Sequence, residues 1–159
     1  MLLHLIRHAD ASPSNPLTGD KFRDLSPFGQ KQIAVLAEHL YTRLNEVEVW
    51  CSGANRTMQT QQILANTITF GKLSIHEQMY LCTMQTFIRQ LDTDISAKDL
   101  IIIAHNFGIS DLMAYYTDDL AELQTAEYVC IEFDGFSRNE LSQGTGTIID
   151  RYRPSLEDS

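Results

Sequence analysis

The sequence predicts an α/β fold of three layers, with helices on both faces of a mostly parallel central sheet. Short β-branched or apolar runs alternate with longer stretches of helical periodicity, the pattern of strands joined by crossover helices. Leu100-Ile101-Ile102-Ile103-Ala104 is apolar at every position, as a strand must be when both its faces are covered. A length of 159 residues, 43% of them hydrophobic, suffices for one sizeable core and falls short of two. One domain is therefore expected over residues 1–159.

Leu2 to Arg7 reads as the first strand, an apolar run that ends in Arg7-His8 before a loop holding Pro13, Pro16 and Gly19. Ser26-Pro27 opens the first helix, because a serine hydroxyl can accept from a free first-turn amide and proline lacks an amide where none is needed. Ile33, Leu36, Ala37, Leu40, Tyr41 and Leu44 recur at three-to-four spacing and give this helix one apolar face. Val47 to Cys51 is the second strand. After Ser52-Gly53-Ala54-Asn55 a second helix begins near Arg56, with Met58, Ile63 and Leu64 among its inward residues. Lys72 to Ile75 is a short third strand, and Met84, Phe87, Ile88 and Leu91 mark a third amphipathic helix. Leu100 to Ala104 is the fourth strand, broken by His105-Asn106-Phe107-Gly108. A helix from about Ser110 to Tyr116 and two late strands, Tyr128 to Phe133 and Thr147 to Tyr152, complete the series.

Composition narrows the classes of function. No apolar stretch reaches the roughly 20 residues of a membrane span, and Arg7 and His8 interrupt the first hydrophobic run before it could act as an export signal. Three cysteines, Cys51, Cys82 and Cys130, are odd in number and lack CxxC spacing, which argues against a disulfide framework or a structural zinc site and for the reduced cytoplasm. The formal charge of −9 repels nucleic acid and anionic membranes, so neither is expected as a partner. A phosphoprotein with its own basic residues suits such an exterior better than a small anion does. The acidic tail Glu157-Asp158-Ser159 reads as a solvated end.

Three predicted strands are followed, directly or after a short turn, by a distinctive group: Arg7-His8, then Arg56, then His105-Asn106. If these strands are parallel neighbours, all three groups reach one rim of the sheet, where helix N-termini also aim their free amides. Singly, a histidine after a strand is more often structural. Together they place fixed positive charge beside a nucleophile or base, which points to phosphate chemistry. A cysteine-dependent phosphatase loop is excluded by spacing, since four residues rather than five separate Cys51 from Arg56. His4 and His8 lack the HExxH arrangement of a metal hydrolase, and His4, His39 and His76 read as structural or surface residues.

These residues resemble the motifs of the histidine phosphatase superfamily, the phosphoglycerate-mutase-like fold. Its Arg-His-Gly appears as Arg7-His8-Ala9, its Ser-Pro-x-x-Arg-Thr as Ser52-Gly53-Ala54-Asn55-Arg56-Thr57, and its Gly-His-Asn as Ala104-His105-Asn106. Arg23-Asp24-Leu25-Ser26-Pro27-Phe28-Gly29 and the late Thr125-Ala126-Glu127 to Phe133-Asp134-Gly135 segment are similar to the small SixA-like phosphohistidine phosphatases, as is the compact length. Ala9, Ala104 and Gly53 depart from the general patterns by small changes beside the reactive groups.

The resemblance implies a nucleophilic His8 that forms a phosphohistidine intermediate, Arg7 and Arg56 holding the phosphoryl group, and His105 donating to its oxygens as charge redistributes. It gives Arg23 a possible contact with phosphate or a partner protein, against the alternative of a solvated loop charge. It implies no metal and no cofactor. The carboxylate general acid of larger members has only weak counterparts here, Glu77 and Asp10. An imidazole leaves more easily than a sugar alkoxide, so phosphohistidine on a signalling or phosphotransfer protein fits best. A small phosphoester phosphatase of the same superfamily is the alternative, and a non-catalytic phosphate-binding module is the rival from another class.

Overall fold

The strand-forming runs build β1 (Leu2–Arg7), β2 (Val47–Ser52), β3 (Phe70–His76), β4 (Leu100–Ala104), β5 (Tyr128–Glu132) and β6 (Thr147–Tyr152) of one sheet, in a computed structural model that describes residues 1–156. The tail Glu157-Asp158-Ser159 lies outside the described residues. The strand order is β3-β2-β4-β1-β5-β6. β3, β2, β4 and β1 run parallel, whereas β5 and β6 are added antiparallel on the far side of β1.

The change of direction has a local cause. After β4 the chain descends through a helix, but residues 118–127 climb back to the upper rim before β5 starts. There the Leu123 carbonyl accepts from Arg7 Nη1 at 2.9 Å and from Asn106 Nδ2 at 3.0 Å, and Ala126 N–H donates to the His8 carbonyl at 3.1 Å. β5 therefore begins where β1 ends, and only the antiparallel pairing is open to it.

Helices α1 (Pro27–Leu40), α2 (Asn55–Ala65), α3 (Met84–Asp92) and α4 (Gly108–Thr117) cover the two faces. Alternation along the strands sorts them. Leu3, Leu5, Leu100, Ile102 and Ala104 pack with Phe87 and Leu91 of α3 and Ile109, Leu112 and Met113 of α4. Ile6, Val49, Cys51, Ile101 and Ile103 pack with Ile33, Leu36, Ala37 and Leu40 of α1 and Leu64 of α2. All five β4 residues are fully buried, and each such Leu or Ile contributes about 1.5–3 kcal/mol by leaving water. No helix of the described residues is long and apolar enough to cross a membrane.

Ser26 caps α1 as its sequence predicts, its Oγ accepting from Gly29 N–H at 2.9 Å, with Pro27 in the first turn. Gly29 itself is required by a close approach. A Cβ there would lie 2.0 Å from the backbone oxygen of Asp10, so the start of α1 presses directly on the loop that follows His8. The helix ends at Leu40; Tyr41 is exposed, whereas Leu44, beyond the helix, is buried in the same cluster. β3 begins at Phe70 and α4 at Gly108, each two residues ahead of the sequence reading.

The inner face of α2 differs more. Of Met58, Ile63 and Leu64, only Leu64 is fully inside, while Arg56, Thr57, Thr60 and Gln61 are buried. Periodicity finds apolar faces, and this one is polar because it lines the upper rim of the sheet rather than the core.

Candidate active site

β1, β4 and β2 stand side by side and parallel, so the groups at their carboxyl ends share one rim, where open α/β sheets bind ligands. β1 leads into Arg7 and His8, β4 into His105, and the first turn of α2 supplies Arg56. The rings of His8 and His105 lie 5.2 Å apart. Nε–H of Arg56 donates to Nε2 of His8 at 3.3 Å. All three side chains are buried.

Nδ1–H of His8 donates to the Ala9 carbonyl at 2.7 Å. With that nitrogen donating and Nε2 accepting from Arg56, the ring is neutral and Nε2 presents its lone pair. The backbone around it is tied on several sides: His8 N–H donates to Ala104, and Ala9 N–H to Thr60 Oγ1, each at 3.1 Å. Burial pushes the His8 imidazole down to about 4, and the cations Arg56, Arg7 and Arg23 push the same way against the opposing Ala9 hydrogen bond.

His105 is oriented from the other side. Its Nε2 lies 2.7 Å from Ser52 Oγ, the last residue of β2. With the hydroxyl donating, Nε2 accepts and the ring proton rests on Nδ1. Nδ1 is buried and has no partner among the described residues, and the same holds for Nε of Arg7. Buried polar groups are normally paired. Here two unpaired donors occupy the same rim as the lone pair of His8, an arrangement suited to an oxyanion.

The remaining candidates make no hydrogen bond to His8 or His105. Arg23 is turned to its own loop, donating to the Ser12 carbonyl at 2.7 Å and to Asp20 Oδ1 at 3.2 Å. Asp10 accepts from Ser26 Oγ at 2.5 Å and so fastens the loop to α1. Glu77 is mostly exposed, ion-paired with Lys21, and lies against Gly53, where a Cβ would meet its Oε1 at 2.2 Å. The departure from proline at position 53 thus leaves room for Glu77. Cys51 is fully buried and its thiol is pushed up to about 12 by burial, far from a thiolate at neutral pH. His4 pairs with Tyr128 Oη, His39 with Asp150, and His76 with Gln90. Sequence reasoning named Ser52 only as part of a motif, without a role, and did not single out Asp20 or Tyr80; all three pack directly on His105 or Arg56.

The buried imidazoles carry a testable consequence. Burial lowers His4 and His8 to about 4 and His105 to about 3. The folded protein therefore takes up these protons later than the unfolded chain, whose imidazoles titrate near 6.5. Their contribution is complete above about pH 6.5 and is lost as pH falls towards about 4. Thermal unfolding followed against pH should show a falling Tm through that window. A flat Tm between about 6.5 and 4 would contradict the assignment of neutral buried rings.

Residues 3–81 match the family model of the histidine phosphatase superfamily (branch 1), a span that holds Arg7, His8 and Arg56 but not His105. No curated protein matches the chain in sequence. Solved structures share its fold over nearly the whole length. One is described as a phosphohistidine phosphatase SixA from Nakamurella multipartitia, 18% identical with a TM-score of 0.83 over 98% of this chain and 96% of that one. A second is the protein histidine phosphatase SixA complexed with tungstate, 17% identical with a TM-score of 0.82 over 97% of each chain. A third is a phosphoserine phosphatase from Entamoeba histolytica in complex with 3-phosphoglyceric acid, 11% identical with a TM-score of 0.64 over 98% of each chain. These likenesses are of fold, and the expected three-layer, phosphoglycerate-mutase-like architecture is borne out.

Proposed function

Because residues 3–81 match the family model of the histidine phosphatase superfamily, we propose that the chain is a metal-independent phosphatase that removes the phosphoryl group from phosphohistidine on a cytoplasmic signalling or phosphotransfer protein. The observation that carries this reading is the neutral His8, its Nε2 lone pair beside Arg56 and the unpaired donors of Arg7 and His105.

In the first step Nε2 of His8 attacks phosphorus as the bond from phosphorus to the substrate imidazole breaks, giving a phosphohistidine on the enzyme. Arg7, Arg56 and His105 take the charge that moves onto the oxygens. The departing imidazole needs no carboxylic acid if its second nitrogen already carries a proton. Water then attacks the phosphohistidine and regenerates His8 with release of phosphate.

Glu77 bears on the choice of substrate, because it is ion-paired with Lys21 and makes no hydrogen bond to His8, Arg56 or His105. A general acid contributes about 10²–10⁴-fold where a leaving group must be protonated. Phosphate release from a phosphohistidine peptide should therefore exceed that from a phosphoserine peptide by at least about 10²-fold, with excess chelator present throughout. Equal or faster hydrolysis of the phosphoserine peptide would transfer the assignment to small phosphoesters. Binding of phosphate without turnover of either would favour the non-catalytic module.

A further inference from the structure

A guanidinium offers two forks, one formed by its two terminal nitrogens and one formed by Nε with the adjacent Nη2. In Arg56 the terminal fork is occupied. Nη1 donates to the Asp20 carbonyl at 2.8 Å and Nη2 to Asp20 Oδ2 at 3.0 Å. The side fork faces the other way, with Nε donating to Nε2 of His8.

Asp20 is itself held from three directions. Oδ2 also accepts from Tyr80 Oη at 2.5 Å, and Oδ1 accepts from Arg23 Nη1 at 3.2 Å. The Tyr80 ring lies 5.9 Å from the guanidinium carbon of Arg56 and stands edge-on to His105 at 5.6 Å. Asp20 begins a single turn of 3-10 helix entered through Gly19, which has φ of 85°. The hydrogen bond from Tyr80, joined by Arg56 and Arg23, lowers the Asp20 carboxyl to about 2, so at neutral pH it is an anion and no proton donor.

An anion on a phosphate-binding arginine can do one of two things. It can occupy the place of the phosphoryl group and oppose binding, or it can grip the arginine by the fork that the phosphoryl group does not use. The atoms bonded favour the second, since Asp20 takes the terminal fork while the side fork remains turned to His8.

We propose that Asp20 is a positioning residue that holds Arg56 by its terminal nitrogens, buttressed by Tyr80, so that the side fork faces the phosphoryl group on His8. This rests on the reading of Arg56 as a phosphoryl ligand, and it accounts for an aspartate inside an anion site. Coulomb attraction alone would place none there; orientation does.

The two roles give opposite signs. Removing a carboxylate from an anion site strengthens anion binding by charge alone, so weaker binding reports lost orientation. Titration calorimetry with tungstate is expected to show binding weakened about tenfold or more in Asp20→Ala, with partial rescue in Asp20→Asn, which keeps an oxygen acceptor for Arg56. Tyr80→Phe should weaken it by less. Circular dichroism and thermal unfolding check that each variant is folded, and Asp20→Asn changes shape least. On a phosphohistidine peptide, Asp20→Ala should lower kcat about 10–100-fold. Equal or tighter tungstate binding in folded Asp20→Ala and Asp20→Asn would overturn the proposal and make Asp20 a competitor for the site. Wild type that binds tungstate but hydrolyses neither phosphopeptide would remove the proposed function and leave the binding comparison intact.

Discussion

Replacing His8 by alanine is expected to abolish phosphate release, with a loss of about 10⁴-fold or more. The size follows from the role proposed for the ring. Among the described residues no other side chain at the rim is as ready to replace the His8 Nε2: Arg7 and Arg56 have no lone pair to give, His105 Nε2 is held on Ser52 Oγ at 2.7 Å against the longer 3.3 Å contact of Arg56 with His8, and Cys51 is a buried, protonated thiol. The variant should also fail to retain a base-stable, acid-labile phosphoryl label after rapid quenching, whereas wild type acquires one. Tungstate binding should survive, because the arginines remain. Cys51→Ser should be close to wild type in turnover. Turnover by folded His8→Ala within about tenfold of wild type would leave the nucleophilic mechanism without support.

Arg56→Lys carries the second large effect, about 10²–10³-fold in kcat, the range for a single oriented donor to a developing oxyanion. Lysine keeps the charge but presents one ammonium where the guanidinium presents two forks. One fork is on Asp20 and the other is turned to His8, and an ammonium cannot serve both in plane. The expected signature is a fall in kcat larger than the rise in KM for the phosphohistidine peptide. A kcat within about threefold of wild type would mean that charge alone suffices there and that the fork geometry is incidental.

Where function hangs on regular structure, the amino-acid sequence announces it. Arg7-His8 and His105 follow apolar runs whose burial dictates strands, and strands that are parallel must deliver their ends to one rim. Arg56 is legible for the same reason, in the first turn of the helix after β2. What is not legible lies in irregular chain. Asp20 sits in a short turn without periodicity, and its contact with Arg56 spans 36 positions. Tyr80 follows β3 in a similar turn. The polar inner face of α2 escapes pattern reading because Thr57, Thr60 and Gln61 look like solvent-facing residues until the neighbouring loop covers them. The antiparallel β5 and β6 are likewise set by a long-range event, the return of residues 118–127 to the rim.

The place of β4 has a consequence for how the protein is made. β1 and β2 are separated in the sheet by a strand synthesised after both, so a nascent chain that has emerged only through α3 already contains Arg7, His8, Ser52 and Arg56, yet has no strand to set them in register. Contacts so distant in sequence form late and slowly. The rim is incomplete until Leu100 to Ala104 enters between its neighbours, and the same insertion brings His105 to the rim. Assembly of the sheet and assembly of the proposed site are then a single event.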